Sequence, residues 1–213
     1  MDERATGLIL RVYPLTETSL IIHWLTREFG RIATVAKGAR RTKSPFRGKL
    51  DLFYSAEFTF ARSRRSELHN LREISLQETH SALRRDLTIL QQASYCAALV
   101  EQATEKEAPL PAIFEFMLGL LNYLPNQVAQ AQTVFSFELK LLDELGLAPD
   151  LAKSKLTEGA RQLVKAFARE DWAMLSRFKA SEEELTELSQ FLHGFLIFHL
   201  GKIPKGRSHA VAT

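Results

Sequence analysis

The sequence has little that could support redox, metal or nucleophilic chemistry. Its 213 residues contain a single cysteine, Cys96, which excludes an intramolecular disulfide and a cysteine-based zinc site. The six histidines are scattered without the spacing of metal ligands. No Ser/His/Asp set and no pair of carboxylates forms a recognisable catalytic arrangement. We therefore expect no catalytic residues, no bound metal and no cofactor.

Long hydrophobic runs are also absent from the sequence. No stretch of about 18 apolar residues exists, so we expect no membrane-spanning helix and no membrane partner. The first residues, Met1 to Arg4, contain two acids and no apolar signal segment, so we do not expect secretion by that route. These features, with the low cysteine content, favour a cytoplasmic protein.

Positive charge is present, and it is concentrated in one segment. The formal net charge is only +3, whereas residues 1–80 hold 14 Lys or Arg against 9 Asp or Glu. Between Arg27 and Lys49 a single acid, Glu28, stands among eight basic residues: Arg27, Arg31, Lys37, Arg40, Arg41, Lys43, Arg47 and Lys49. Charge of one sign in a short segment is stabilised by a polyanion, and a phosphate backbone is the common one.

Apolar residues tend to alternate with polar ones from about Thr6 to Gln77, as in strands with one buried face. The candidate strands are a first one in which Leu8, Leu10 and Val12 share a face, then Leu20–Leu25, Ile32–Lys37, Tyr54–Phe60 and Glu67–Leu76, the last with a broken alternation that indicates a bulge. Five short strands predict a small barrel of the oligonucleotide-binding (OB) type.

After residue 80 the apolar spacing becomes helical. The candidate helices run from Leu83 to Val100, from Ile113 to Leu124, from Val134 to Leu145, and onward from a capping box at Ser181–Glu184, the last with a core face of Leu185, Leu188, Leu192, Phe195 and His199. The predicted fold class is therefore α+β. We predict that residues 1–80 form an OB barrel, as the nucleic-acid-binding domain, and that residues 81–213 form an all-helical domain, as the partner-binding one.

The segment from Gly38 to Ser44 nearly matches a phosphate-binding P-loop. Thr42 replaces the second glycine, and Pro45 follows where a helix should begin. A basic loop that happens to start with glycine is the better interpretation, and nucleotide hydrolysis is the weakest alternative. We expect residues 38–48 to be mobile without DNA, because two glycines and repulsion between like charges oppose a fixed shape.

The basic cluster predicts a nucleic-acid surface, against the alternative of a solvated face. Arg62, Arg64 and Arg65, in the next turn, are predicted to extend the same patch. Tyr13, Trp24 and Phe46 are candidates for stacking on bases. Trp24 lies in an apolar strand and is better explained as core, which leaves Phe46 as the preferred stacking residue.

Several motifs in this chain resemble those of the bacterial RecO family of DNA repair proteins. They are Thr16-Glu17-Thr18-Ser19-Leu20, Leu25-Thr26-Arg27-Glu28-x-Gly30-Arg31, Ala36-Lys37-Gly38-Ala39-Arg40 with Lys43-Ser44, Gly48-x-Leu50 with Phe53, then Phe137-Glu138-Leu139 with Leu141-Leu142-x-x-Leu145-Gly146 and Pro149, and finally Leu200-Gly201-Lys202-x-Pro204-Lys205-x-Arg207. The resemblance is dense over residues 7–60 and patchy afterwards.

The resemblance implies an OB barrel joined to a helical domain, and a non-enzymatic recombination mediator of the RecF pathway. Such proteins bind single- and double-stranded DNA, anneal complementary strands, and act with RecR to load RecA on DNA coated by single-stranded DNA-binding protein (SSB). By this resemblance the DNA-binding candidates are Lys37, Arg40 and Lys43, which lie in the family's motif loop, and Arg31, which lies just before it. Charge alone adds three further candidates, Arg41, Arg47 and Lys49. A DNA-binding role implies association with the nucleoid.

The chain departs from the family pattern after Pro149, where many members carry a four-cysteine zinc module. Residues 150–154 contain no cysteine. The family's helical domain also receives the acidic, hydrophobic C-terminal tail of SSB, and such a tail needs an apolar groove flanked by cations. Candidate flanking cations are Lys140, Lys202, Lys205 and Arg207.

Two other functions remain open on the residues. A basic OB fold does not itself choose DNA, so an RNA-binding or ribosome-associated protein is the first alternative. The second is a protein–protein adaptor, in which the helical half is the working surface and the basic loop binds an acidic partner.

Overall fold

The computed structural model describes residues 2–212 and divides them into two compact units. The first unit contains the described residues up to Ser81 together with Thr104–Leu118. The second contains Ala82–Ala103 and the described residues from Gly119 onward. The periodicity of the sequence changes at the first of these breaks, but it gave no sign that Thr104–Leu118 belongs with the strands.

Within residues 2–212, five strands close into a barrel in the order β1-β2-β3-β5-β4. They are β1 (Asp2–Pro14), β2 (Leu20–Thr26), β3 (Gly30–Ala36), β4 (Ser55–Ala61) and β5 (Leu68–Glu78). Strands β3 and β5 pair in parallel, and the other neighbours are antiparallel. This is the OB fold, as the alternation of residues 6–77 predicts.

The barrel core is built from the inward faces of these strands. Trp24 is fully buried and stacks on Phe58 with 4.1 Å between ring centroids. Its Nε1 donates to Thr34 Oγ1 at 2.8 Å, so the buried indole N–H is satisfied. The prediction that Trp24 belongs to the core is confirmed.

A bulge in β1 overturns the predicted face of that strand. Ile9 pairs with Trp24 but Arg11 pairs with His23, so Leu10 is an extra residue. The bulge shifts the alternation, and Ile9 and Val12 contribute to the barrel core instead of Leu8 and Leu10. In β5 the bulge that the broken alternation predicts is present, because the pairing with β4 shifts register twice.

The strand directions place the connections at two ends of the barrel. Strands β1, β3 and β5 run one way, and β2 and β4 run the other. Residues 15–19, between β1 and β2, and residues 37–54, between β3 and β4, therefore share one end, which we call the first end. Residues 27–29 and 62–67 connect strands at the second end.

The return segment, Thr104–Leu118, packs against strand β3 at the second end. The Glu107 N–H donates to the Arg31 carbonyl at 2.9 Å, and Arg31 Nε donates to Thr104 Oγ1 at 2.7 Å. Arg27 forms an ion pair with Glu115 and lies over the ring of Phe114. These contacts explain why a segment of helical periodicity belongs to the barrel unit.

We expect Gly30→Ala to destabilise the barrel unit. Gly30 has a φ of 64°, and a Cβ there would lie 2.0 Å from the Ala108 carbonyl oxygen, a backbone atom. The left-handed conformation alone costs a residue with a Cβ about 1–2 kcal/mol, and the clash adds to it. The free energy of unfolding in urea should therefore fall by at least about 2 kcal/mol.

Gly48→Ala is the matched control for this variant. Gly48 has a φ of 73°, but its Cβ would meet no atom of the described residues within 4 Å. It should therefore lose only the conformational part. Equal losses for the two variants would show that the approach of Ala108 is unimportant.

The second unit is helical. The helices of the chain are α1 (Leu87–Ala103), α2 (Pro111–Tyr123), which begins in the first unit, α3 (Ala131–Glu144), α4 (Glu158–Arg169), α5 (Glu182–Leu200) and α6 (Arg207–Val211). The sequence reading missed α4 and α6. The capping box at Ser181 is confirmed, whereas His199, expected on the core face of α5, is exposed.

Cys96 is buried in α1, where burial raises the pKa of its thiol, so the side chain acts as a small apolar group. The helices within residues 2–212 include none long and apolar enough to cross a membrane. The same residues hold no group of three metal-ligand side chains.

Candidate nucleic-acid interface

The basic segment, residues 37–49, is a succession of turns at the first end of the barrel. Backbone hydrogen bonds close these turns, from Arg41 N–H to Gly38 O at 3.0 Å and from Ser44 N–H to Arg41 O at 3.1 Å. Two more turns follow, closed by the amides of Arg47 and Lys49. The segment therefore has a defined succession of turns, while the mobility expected for residues 38–48 without DNA stays a prediction.

Two apolar side chains anchor the basic segment to the barrel. Ala39 and Phe46 are 8% and 7% exposed, and both pack in the barrel core. The prediction that Phe46 offers a stacking surface is therefore wrong, because its ring is unavailable to a base. The prediction of exposure was based on the sequence neighbours of Phe46, which are typical of a surface loop. Burying the aromatic ring is favourable enough to bring it into the core despite these neighbours.

The motif residues 16–19 hold the basic segment on its other side. The Arg40 N–H donates to Thr18 O at 3.0 Å, and Arg40 Nη1 donates to Thr16 O at 3.3 Å. The Gly38 N–H donates to Ser19 Oγ at 3.4 Å. The sequence reading assigned no role to these residues, although their place in the same set of motifs as Lys37 to Arg40 was a usable signal.

The cations of the basic segment have no carboxylate partners among the residues that the structure describes. They are Lys37, Arg40, Arg41, Lys43, Arg47 and Lys49, and all but Lys49 are exposed. Arg47 Nη1 donates to Thr42 O at 3.2 Å and Lys49 Nζ donates to Ile74 O at 3.4 Å, so both are held by neutral carbonyls. Their positive charge is uncompensated and available to a polyanion.

The near match to a P-loop does not produce P-loop geometry. The residues after Ser44 form turns, whereas a P-loop requires a helix whose N-terminal amides face the phosphate. Pro45 follows Ser44 directly and is exposed in the first of these turns.

The other predicted DNA-binding arginines lie at the second end of the barrel. Arg62 is paired with Glu3, at 2.8 Å, and with Glu107, and these partners hold its pKa well above the usual range. Arg31 is bonded to Thr104. Arg64 and Arg65 are exposed in the same end's turn. The single continuous patch that the sequence predicted is therefore not formed. Strand β4 runs from the first end of the barrel to the second, and so separates the basic segment from Arg62, Arg64 and Arg65.

Two of the four cations predicted to flank a groove are structural. Arg207 is 7% exposed and forms a bidentate ion pair with the fully buried Glu138, at 2.7 and 2.9 Å. Lys140 Nζ donates to Glu170 O at 2.7 Å, and burial lowers its pKa. Arg207 does line the open groove described next, but its charge is used by Glu138. The Lys140 ammonium is bonded to backbone carbonyls, so neither residue offers the free charge that the sequence predicted for a groove.

The remaining two cations, Lys202 and Lys205, are exposed. Lys205 lies on the rim of an open groove of about 650 Å³ in the second unit. Its lining includes Ile203, Pro204 and Val211 as apolar contributors and His193 from α5. Arg207 also lines it, with its charge paired to Glu138. The groove therefore combines an apolar floor with one exposed lysine.

These features define an OB-fold protein that carries an uncompensated cationic segment at one end of its barrel and has a second, helical unit. Comparison with protein-family models identifies the family to which this protein belongs. The model described as "Recombination protein O N terminal" matches residues 1–80, and "Recombination protein O C terminal" matches residues 84–157 and 152–209. The chain belongs to this family, the RecO family.

Curated relatives agree with the family models. A DNA repair protein RecO from Exiguobacterium sibiricum is 29% identical over 208 residues, which is 95% of this chain and 82% of the relative. One from Listeria monocytogenes serotype 4b is 32% identical over 151 residues, which is 71% of this chain and 58% of the relative. One from Rhodopirellula baltica is 32% identical over 143 residues, or 67% and 53%. The matches thus cover little more than half of these last two relatives.

Membership of the RecO family supports a function in DNA repair by recombination. The relatives are named as DNA repair proteins.

Proposed function

We propose that this protein is a non-enzymatic DNA-binding recombination mediator, with the basic segment as its DNA surface. The observation that carries this proposal is the set of six cations at the first end, none of which meets a carboxylate in residues 2–212. Contacts of this kind recognise phosphates and not bases. Binding should therefore extend to single and double strands and depend little on sequence.

Strand annealing follows from the same charges. Two complementary strands repel each other through their phosphates, and a cationic surface that binds both lowers this repulsion. Base pairing then supplies the free energy, so no nucleotide hydrolysis, catalytic residue or cofactor is required. In this role the protein acts on SSB-coated DNA with RecR and so assists the loading of RecA, in the cytoplasm at the nucleoid.

Equilibrium binding of labelled oligonucleotides tests the DNA assignment. We expect both single- and double-stranded DNA to bind, with little dependence on sequence, and matched RNA to compete no better than DNA. A preference for RNA of about tenfold, or 1.4 kcal/mol, would favour an RNA-binding function instead. Retention of partners after nuclease treatment, with dependence on residues 81–213 alone, would favour a protein adaptor.

We propose that the groove beside Lys205 receives the C-terminal tail of SSB. A tail that is acidic and hydrophobic matches an apolar floor with a lysine at its rim. We expect Lys205→Glu to weaken binding of a peptide of that composition by about tenfold, because an attractive charge becomes a repulsive one. Fluorescence anisotropy of the labelled peptide measures this effect.

Lys179→Glu is the matched control, since Lys179 is also an exposed lysine of the second unit but does not line the groove. The control should bind the peptide like the unchanged protein. Equal weakening by both variants would reduce the effect to net charge and remove the groove from the proposal.

A further inference from the structure

An exposed aromatic group lies on the outer surface of the barrel, on strands β1 and β2. The Tyr13 side chain is 38% exposed, and its ring contacts the His23 ring edge-on with 5.2 Å between centroids. Arg11 Nη1 donates to the Tyr13 hydroxyl at 2.9 Å. Arg11 is directly opposite His23 in the strand pairing, so the three side chains form one surface.

This surface adjoins the basic segment. Strand β1 ends at Pro14, one residue after Tyr13, and the connection that follows carries the carbonyls of Thr16 and Thr18. Both carbonyls accept hydrogen bonds from Arg40, one from its side chain and one from its amide. A strand of nucleic acid whose phosphates meet Arg40 can therefore place a base over Tyr13.

Packing of the barrel does not account for the position of Tyr13. The core contains Val12 and Leu20 on the neighbouring inward positions, and Tyr13 is not among the side chains that pack there. An aromatic ring that is exposed, held by an arginine and adjacent to uncompensated cations is the arrangement with which proteins bind unstacked bases.

We propose that Tyr13 stacks on a base of single-stranded nucleic acid, with Arg11 and His23 as positioning residues that hold the ring. This inference rests on the proposed DNA binding by the basic segment. It adds a preference that phosphate contacts cannot supply, because the bases of a duplex are already stacked on each other and cannot cover the ring.

The test compares single- and double-stranded DNA for the Tyr13→Ala variant. Loss of one base stacked on an aromatic side chain typically weakens binding about tenfold, and we expect this loss for single-stranded DNA. The affinity for duplex DNA should change less than twofold. Tyr13→Phe keeps the ring and loses only the hydrogen bond from Arg11, so its loss of single-strand binding should be clearly smaller than that of Tyr13→Ala. Phe198→Ala removes another exposed ring, 82% exposed on α5, and should leave both affinities unchanged.

The outcomes separate this inference from the proposal beneath it. If the unchanged protein binds neither form of DNA, the DNA-binding proposal fails. Suppose instead that the unchanged protein binds both forms. If Tyr13→Ala then binds both forms as tightly as the unchanged protein does, or loses the same factor of affinity for both, only the stacking role of Tyr13 fails. A loss in Tyr13→Phe as large as that in Tyr13→Ala would assign the effect to the hydroxyl and likewise overturn stacking.

A Tyr13→Trp variant gives a direct readout. Of the two native tryptophans, Trp24 is buried and the partly buried Trp172 belongs to the second unit, so the fluorescence that a tryptophan at position 13 adds reports on the barrel surface. We expect an oligonucleotide to quench the fluorescence of this variant more than that of the unchanged protein. An abasic oligonucleotide should not reproduce the added quenching, and equal quenching by the abasic oligonucleotide would contradict stacking.

Discussion

Replacing Arg40, Arg41 and Lys43 together with alanine is expected to weaken DNA binding by about 100-fold at moderate salt, if each charge-assisted contact contributes about 1 kcal/mol. These side chains are exposed and meet no carboxylate within the described residues, so they offer their full charge to phosphates. The loss should be similar for unrelated sequences, because phosphate contacts carry no sequence information.

The salt dependence of binding provides the sharper measurement. Each phosphate contact contributes roughly 0.9 to the slope of log affinity against log salt for a duplex and roughly 0.7 for a single strand. Loss of three contacts should therefore flatten the slope by about two to three. Titrations at four or five salt concentrations measure it.

Arg64→Ala with Arg65→Ala is the control for this experiment. Both arginines are exposed on the same unit, but the strand order places them at the second end of the barrel. We expect this pair to change the slope by less than one. An effect as large as that of the triple variant would show that net charge, and not the basic segment, determines binding.

Arg207→Met is expected to lower the free energy of unfolding of the helical unit by about 3–5 kcal/mol. The exchange keeps an apolar stem but leaves the Glu138 carboxylate buried without its cation. The Tyr95 hydroxyl donates to the same carboxylate, so three elements of this unit meet there. Urea unfolding followed by helical circular dichroism measures the loss.

A double exchange identifies the cause. Removing the charge of Glu138 as well, by Glu138→Gln with Arg207→Met, should recover part of the loss, because no unpaired charge then remains buried. Lys205→Met, at an exposed lysine two residues away, should change stability by less than about 0.5 kcal/mol. A double variant less stable than Arg207→Met would contradict the role assigned to the ion pair.

The barrel could be predicted from the sequence because alternation reports directly which face of a strand is buried. Tyr54 to Phe60 keeps that alternation without interruption and appears in the structure as β4 with Phe58 and Phe60 in the core. In β1 the apolar pattern Leu8-Ile9-Leu10 is continuous, so it could not reveal that Leu10 is an extra residue. A bulge needs its partner strand to be recognised.

The candidate site was only partly predictable from the sequence. The sequence shows which residues are charged, but not at which end of the barrel they lie or whether a buried partner uses their charge. Grouping Arg62 with Arg40 was wrong for the first reason, since a strand separates the two ends of the barrel. The free charge expected of Arg207 was wrong for the second reason, since a buried glutamate 69 residues away uses it. Phe46 stands between Pro45 and Arg47, and nothing local showed that its ring enters the core.

Annealing of two complementary oligonucleotides that are both coated with SSB tests the central claim most directly. Fluorescence from a dye pair follows the reaction with the unchanged protein, the Arg40/Arg41/Lys43 triple-alanine variant and the Arg64/Arg65 double-alanine variant. We expect rapid annealing with the unchanged protein and the double variant, and little above the background rate with the triple variant. Annealing by the triple variant at the unchanged rate would contradict the basic segment as the DNA surface.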